Sequence, residues 1–331
     1  MSASLDETAA VQAALHALAP ALGGGVIGGL TRLTGGASLQ TWAFSCGQRE
    51  LILRRRAQAG EQPNGAALSL ATEAALLRLA SQAGVPVPAV LRACAPQDGL
   101  GEAIIMARVD GETLGRRIVA GDAFAAIRPA LAGQAGAALA RIHAIDPAQL
   151  PALPSLGAAD TLSHYEAVYR ASGAVRPVLD VAFRLLARAL PPPVPPRLVH
   201  GDFRTGNLII DPKRGLTAVL DWELAHLGDP AEDIGWLCVN SWRFGAMEKQ
   251  AGGFATLAEL AAAYETASGR AIDTMRVRFW QMLGSLKWAV MCLIMYGVYA
   301  SGADPSLERV AIGRRVSEAE ADLLALIGEA P

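Results

Sequence analysis

The residues best equipped for chemistry stand in one stretch, His200-Gly201-Asp202-Phe203-Arg204-Thr205-Gly206-Asn207, and in Asp221-Trp222-Glu223 further on. Each aspartate follows an apolar β-prone run: Leu198-Val199 before Asp202, and Ala218-Val219-Leu220 before Asp221. Leu208-Ile209-Ile210 closes the first segment, so a turn between two short strands would hold its side chains on a rigid base. A carboxylate there can accept a hydroxyl proton, while an asparagine and a second carboxylate supply the hard oxygens that Mg²⁺ prefers. Together they suit transfer of a phosphoryl group onto an oxygen. Either aspartate alone reads as an ordinary turn residue, since Asp and Asn bond their own backbone in turns. The ordered set, with a β-run ahead of each aspartate, reads as catalytic. A metal-assisted phosphate hydrolase would use the two aspartates but leave Asn207 and the whole early part of the chain unexplained.

Those residues need a scaffold, and the chain changes texture in a way that suggests one. Val11, Leu15 and Leu18 recur at helical spacing over residues 6–22, and Gly23-Gly24-Gly25 stops that helix. Short β-prone runs follow at Val26-Ile27, Thr41–Phe44 and Leu51–Leu53, separated by turn residues, as in an antiparallel meander. A helix is expected over residues 66–83, ended by Gly84 and Pro86, then two strands near residues 89–92 and 103–109. Beyond Asp110-Gly111 helical periodicity dominates, over residues 122–144, 160–190, 253–268, 272–300 and 305–328. Strands early and helices late predict an α+β fold, with a small α+β lobe over residues 1–109 and a larger helical lobe over residues 110–331. The proline-rich stretch Leu190–Pro196 reads as a stiff connector into the next strand. In Asp229-Pro230-Ala231-Glu232, Asp229 reads as an N-cap, Pro230 as the first helical residue and Glu232 as the closing half of a capping box. His226 is expected to be structural.

Protein kinases place an aspartate and an asparagine in H-R-D-x-x-x-x-N, followed by the aspartate of D-F-G. His200, Asp202, Asn207 and Asp221 reproduce that order. On these motifs the chain resembles the aminoglycoside phosphotransferase and choline kinase family, most of all the kinase-like domain fused to some acyl-CoA dehydrogenases. The resemblance implies a protein-kinase-like two-lobed fold, with residues 1–109 as the nucleotide-binding lobe, and transfer of the γ-phosphoryl group of ATP or GTP to a small-molecule hydroxyl. It further implies Asp202 as the base, Asn207 and Asp221 as Mg²⁺ ligands, and Arg204 as a contact to the phosphoryl group. His200 is expected to be structural, and Asp233 to brace the catalytic loop. Arg54 occupies the place of the phosphate-binding lysine of protein kinases, a departure from their pattern. Glu73, the only acidic residue between Gln62 and Gln97, needs a cationic partner among its apolar neighbours. Arg54 is the expected one, since strand alternation turns Arg55 to the opposite face. Gly35, Gly36 and Ser38 would fold over the phosphates, and Met106, Arg108 and Val109 would offer backbone groups to the adenine.

Bulk properties narrow the partners. The 331 residues carry 29 basic and 31 acidic side chains and only 5% aromatics, which argues against a nucleic-acid partner. Cys46, Cys94, Cys238 and Cys292 lack metal or redox spacing and read as thiols in a reducing cytoplasm, and the first basic residue, Arg32, comes too late for an export signal. Trp288 to Ala300 is uncharged but too short for a span of about 20 residues, so a buried helix is expected and no membrane. Residues 240–320, expected to build the acceptor pocket, hold nine basic and eight acidic side chains. A polycationic aminoglycoside would want an acidic cleft, and together with the resemblance to acyl-CoA dehydrogenase-linked domains this balance implies a neutral or anionic hydroxyl acceptor such as a hydroxyacyl-CoA. The rival readings are an antibiotic phosphotransferase and a catalytically silent kinase-like binding protein.

Overall fold

The computed structural model describes residues 2–33, 39–56 and 67–328. Helix α1 (Ser2–Leu18) leads through a 3-10 turn and three glycines at positive φ into strand β1 (Ile27–Leu33). Strands β2 (Gln40–Cys46) and β3 (Arg49–Arg55) complete the expected antiparallel meander. Ser69 caps α2 (Leu70–Gln82), its Oγ accepting the Thr72 N–H at 3.1 Å. Strands β4 (Val90–Ala93) and β5 (Ala103–Ala107) then give a five-stranded sheet in the order β1-β2-β3-β5-β4. Strand β5 stops at Ala107, two residues short of its expected end, although the Arg108 N–H still bonds Glu50 O of β3 at 2.9 Å.

Pleating sorts the sheet residues into two cores. Trp42, Phe44, Leu51, Leu53 and Ile105 meet Val11, Leu15 and Leu18 of α1. On the opposite face Ile104 and Met106 join Leu70, Leu76 and Leu77 of α2 in a larger cluster that runs on into the helical part of the chain. The element type therefore changes near residue 110, while the larger apolar core continues across it.

The helical part contains α3 (Gly115–Ala120), α4 (Leu131–Ala144), α5 (Ala158–Ala171) and α6 (Pro177–Arg188). Two small antiparallel pairs follow: β6 (Arg197–Val199) with β9 (His226–Gly228), and β7 (Leu208–Asp211) with β8 (Gly215–Val219). The chain ends with α7 (Ala231–Leu237), α8 (Leu257–Ser268), α9 (Thr274–Ala300), α10 (Leu307–Arg314) and α11 (Val316–Gly328). Three expected helices differ in extent. The segment from 122 opens with 3-10 turns, and the one over 160–190 breaks where Gly173 takes φ +68° and Pro177 restarts the helix. The last segment splits at Arg315. Helix α9 is the one described helix long and apolar enough to cross a membrane by length and composition. Here it packs against α5, α6, α7, α10 and α11. Gly235 lets α7 approach it closely, since a Cβ there would lie 2.7 Å from Gln281 N. The proline run serves as the connector into β6, fastened by a hydrogen bond from Arg276 to Pro192 O.

Candidate active site

The loop that carries Asp202 leaves β6 at His200 and is held from beneath by one carboxylate. Asp233, fully buried on α7, accepts the His200 N–H at 2.8 Å and the Gly201 N–H at 2.9 Å. Its Oδ2 also lies 3.1 Å from His143 Nε2 of α4, whose other nitrogen meets the Tyr264 hydroxyl at 3.0 Å. Burial opposes the Asp233 charge, but His143 and His200 outweigh it and bring its pKa below the usual carboxylate range. Asp233 is therefore the expected brace. Gly201 makes the tight turn possible at φ +79°, where a Cβ would fall 2.4 Å from Leu224 O. His200 is buried and neutral: burial lowers its pKa, Nδ1 accepts the Asp202 N–H at 3.2 Å, and Nε2 donates to Leu220 O at 3.0 Å. Its structural role is as expected.

Three donors converge on the Asp202 carboxylate. Trp236 Nε1 donates at 2.7 Å, Asn207 Nδ2 at 2.6 Å, and Arg204 Nε at 3.0 and 3.2 Å to the two oxygens. The Arg204 guanidinium also stacks over the Trp242 ring, 4.6 Å from its centroid. Because Asn207 turns its nitrogen to Asp202, bonding also the Asp202 carbonyl at 3.0 Å, its amide oxygen faces the other way.

The second aspartate is brought alongside by the backbone. Leu220 N–H donates to Asn207 O at 2.8 Å, and Asp221 then takes φ +65°, a left-handed conformation that Asp tolerates better than most residues. Its Oδ1 accepts from Arg54 Nη2 at 2.9 Å, while Arg54 Nη1 bonds Glu73 on α2. One guanidinium thus links β3, α2 and the segment after β8. Burial works against the Arg54 charge, yet Glu73, Asp221 and Glu223 together raise its pKa. Arg54, not Arg55, faces the site, as strand alternation predicts.

The donors present fit a hard divalent cation: the Asn207 amide oxygen and the Asp221 carboxylate oxygen not engaged by Arg54. Among the described residues no group of three or more His, Cys, Asp or Glu side chains is placed to hold a metal. A cation bound by Asn207 and Asp221 would draw its remaining oxygens from phosphate or water, as Mg²⁺ commonly does.

Other expected residues fare unevenly. Gly35, Gly36 and Ser38 lie outside the described residues. Met106 is buried in β5, and the Arg108 side chain lies 3.8–3.9 Å from the carboxylates of Glu50 and Asp110. The expected capping box at Glu232 does not form, because its carboxylate pairs instead with His226 Nε2 at 3.1 Å. Asp229 does hold the Ala231 N–H at 3.0 Å, but its other oxygen receives Arg276 and Trp280, both at 2.8 Å. Sequence reasoning missed Trp236, His143 and Tyr264. A tryptophan three residues after Asp233 on α7 was the one available signal, since helical spacing keeps Trp236 and Asp233 on the same face.

Comparison with known proteins bears on the family and the fold. Mouse acyl-CoA dehydrogenase family member 10 is 29% identical over 211 residues, covering 62% of this chain and 20% of that protein. Chicken acyl-CoA dehydrogenase family member 11 is 29% identical over 213 residues, covering 61% of this chain and 26% of that protein. The chain thus spans about a quarter or less of these relatives. A putative aminoglycoside phosphotransferase from Ralstonia eutropha shares the fold with TM-score 0.73 and 21% identity, over 98% of this chain and 99% of that one. A thermostable mutant of the aminoglycoside phosphotransferase APH(4)-Ia, in ternary complex with AMP-PNP and hygromycin B, aligns with TM-score 0.62 and 19% identity over 92% and 96% of the two chains. The likeness confirms the two-lobed, protein-kinase-like α+β fold. The model of the phosphotransferase enzyme family (APH) matches residues 29–278, and the chain belongs to that family.

Proposed function

We propose that the protein is a Mg²⁺-dependent small-molecule kinase that moves the γ-phosphoryl group of ATP to a hydroxyl of an anionic, acyl-bearing acceptor, a hydroxyacyl-CoA being the best candidate. The observation that carries the phosphotransfer reading is the convergence of Arg54, Asp221, Asn207 and Asp202, drawn from segments up to 167 residues apart. Asp202, its carboxylate fixed by three donors, accepts or orients the acceptor's hydroxyl proton. Arg204 steadies that carboxylate and carries further N–H groups for the phosphoryl oxygens. Arg54 offers a forked cation to the nucleotide phosphates in place of a lysine. Asn207 and Asp221 would hold Mg²⁺, which when bound neutralises phosphate charge. The connection after β5 is the adenine site we propose: the Val109 N–H and C=O have no internal partner among the described residues. ATP is favoured over GTP because a structural relative binds AMP-PNP.

The acceptor reading has its own support. A cavity of about 490 Å³ is lined by Leu114, Gly115, Ala120, Gly121 and Phe244 with Arg116 and Arg117. The backbone links its wall to the site: Glu112, two residues before Leu114, exchanges hydrogen bonds of 2.9 and 3.0 Å with Ile210, three residues past Asn207. Phe244 is held at φ +50° and is about one-third exposed. Apolar walls beside arginines suit an acyl chain next to an anionic group. Purified protein with Mg-ATP should release ADP faster with hydroxyacyl-CoA thioesters than with aminoglycosides. Efficient turnover of aminoglycosides alone would overturn the acceptor. No thermal stabilisation by Mg-ATP, against the roughly 2.7 kcal/mol expected at a hundred times Kd, would favour a silent binding protein.

A further inference from the structure

A buried lysine lies directly under the catalytic loop with no carboxylate partner within ion-pair distance among the described residues. Lys287 of α9 is 9% exposed. Its Nζ lies 4.5 Å from the Trp236 ring centroid, 5.9 Å from that of Tyr165, and 3.5 Å from Gly201 O. The surrounding cavity, bounded also by Thr161, Glu232, Trp280, Leu283 and Gly284, holds only about 10 Å³. Taking an ammonium out of water costs several kcal/mol, and an apolar side chain of similar size at such a position is often neutral or stabilising. Stability alone gives no reason for a lysine here. Burial works against its charge, yet Tyr165, Glu232, Asp202 and Asp233 outweigh it and raise the pKa, so the cation persists.

What that cation touches is informative. The indole it faces is the one whose Nε1–H donates to Asp202 at 2.7 Å, and the carbonyl it reaches belongs to the residue just before Asp202. A cation on the π-face draws density from the ring and makes its N–H a stronger donor. We propose that Lys287 is a positioning residue that acts through Trp236 and the Gly201 carbonyl to fix the Asp202 carboxylate in the orientation its reaction needs. The proposal rests on Asp202 being the base.

Two measurements test it, one independent of activity. In protein labelled with ¹⁵N on its six tryptophans, the Trp236 indole N–H resonance is identified by its loss in Trp236→Phe. It should lie downfield in the wild type, move upfield in Lys287→Met and exchange faster with solvent. An unchanged resonance overturns the proposal whether or not the protein turns over any acceptor. In the second, ADP release from Mg-ATP is followed with the best acceptor, or with water. Lys287→Met should lower kcat about tenfold or more with KM for ATP within about twofold. Trp236→Phe should do the same, and the double variant should lose little more than either single one, as residues acting as one unit do. Wild-type kcat in Lys287→Met, or losses that multiply in the double variant, would overturn it. If Lys287→Met does not fold, Lys287→Gln and Trp236→Phe carry the test, and wild-type kcat in Trp236→Phe overturns it. A wild type releasing no ADP with any acceptor counts against the phosphotransfer reading, leaving the resonance to decide this one.

Discussion

The two halves of the site are built on different principles. The half around Asp202 hangs from buried hydrogen bonds within the helical part: Asp233 beneath the loop, His143 and Tyr264 behind it, Trp236 beside it. The half around Asp221 depends on a single guanidinium that joins the sheet, α2 and the segment after β8, with the Asp221 side chain about one-third exposed. The first is assembled when the helical core folds. The second exists only when the sheet and α2 are in register with Asp221, which makes it the half through which nucleotide binding and lobe placement can affect one another.

Substitutions should separate these halves. Asp202→Ala should lower kcat by about a hundred- to ten-thousandfold and leave Mg-ATP affinity intact, measured by calorimetry beside steady-state assays. Retained turnover would remove Asp202 from the role of required base. Asp233→Ala leaves two buried N–H groups and the Nε2 of His143 unpaired, at roughly 1–3 kcal/mol per group. It should lower the melting temperature by many degrees and abolish activity together. Arg54→Lys keeps the charge but loses the fork, so Mg-ATP should bind about tenfold more weakly while the melting temperature hardly changes. A large drop in melting temperature instead would mean that the cross-lobe half is as structural as the other. Gly206→Ala places a Cβ 2.1 Å from the present position of Arg204 Nη1, the movable end of a flexible side chain. A several-fold loss of kcat at unchanged stability is expected.

The smallest effect serves as a control away from both halves. Asp322 on α11 is pushed up to about 6 by burial, despite its bond to Asn240. Its folded-state pKa lies above the unfolded value of 3.8, so the native state binds the proton more tightly. Stability from this group is therefore present below pH 4 and lost as pH rises toward about 6. In Asp322→Asn, melting temperature should fall less over that interval than in the wild type, with kinetics unchanged.

The half-sites were not equally legible in the sequence. Asp202 and Asn207 share one contiguous motif, and Asp221 follows a short β-run, so their spacing carried the chemistry. Arg54 and Glu73 are far from both, yet a lone acid among apolar helix neighbours and the alternation of a strand sufficed to pair them. The supporting residues were harder because they come from three different helices. Periodicity marks Trp236, His143 and Lys287 as inward-facing without saying what they face. Glu232 shows the opposite failure: the local capping pattern was present, but a buried histidine offered its carboxylate a better partner. The pocket beside Phe244 left no signal, because its lining comes from the α3 segment and a loop more than 100 residues later.

The imidazole of His200 works as a ruler. One nitrogen is set on the backbone of Asp202 and the other on the carbonyl preceding Asp221, so the rigid ring fixes the gap between the two carboxylates. Both contacts require a single tautomer, with the proton on Nε2. Acid that protonated the ring would turn the Asp202 N–H from a partner into a rival donor, and the spacing of the site would be lost. Burial, by holding the His200 pKa down, delays that event and keeps the two aspartates at a constant separation across the neutral range.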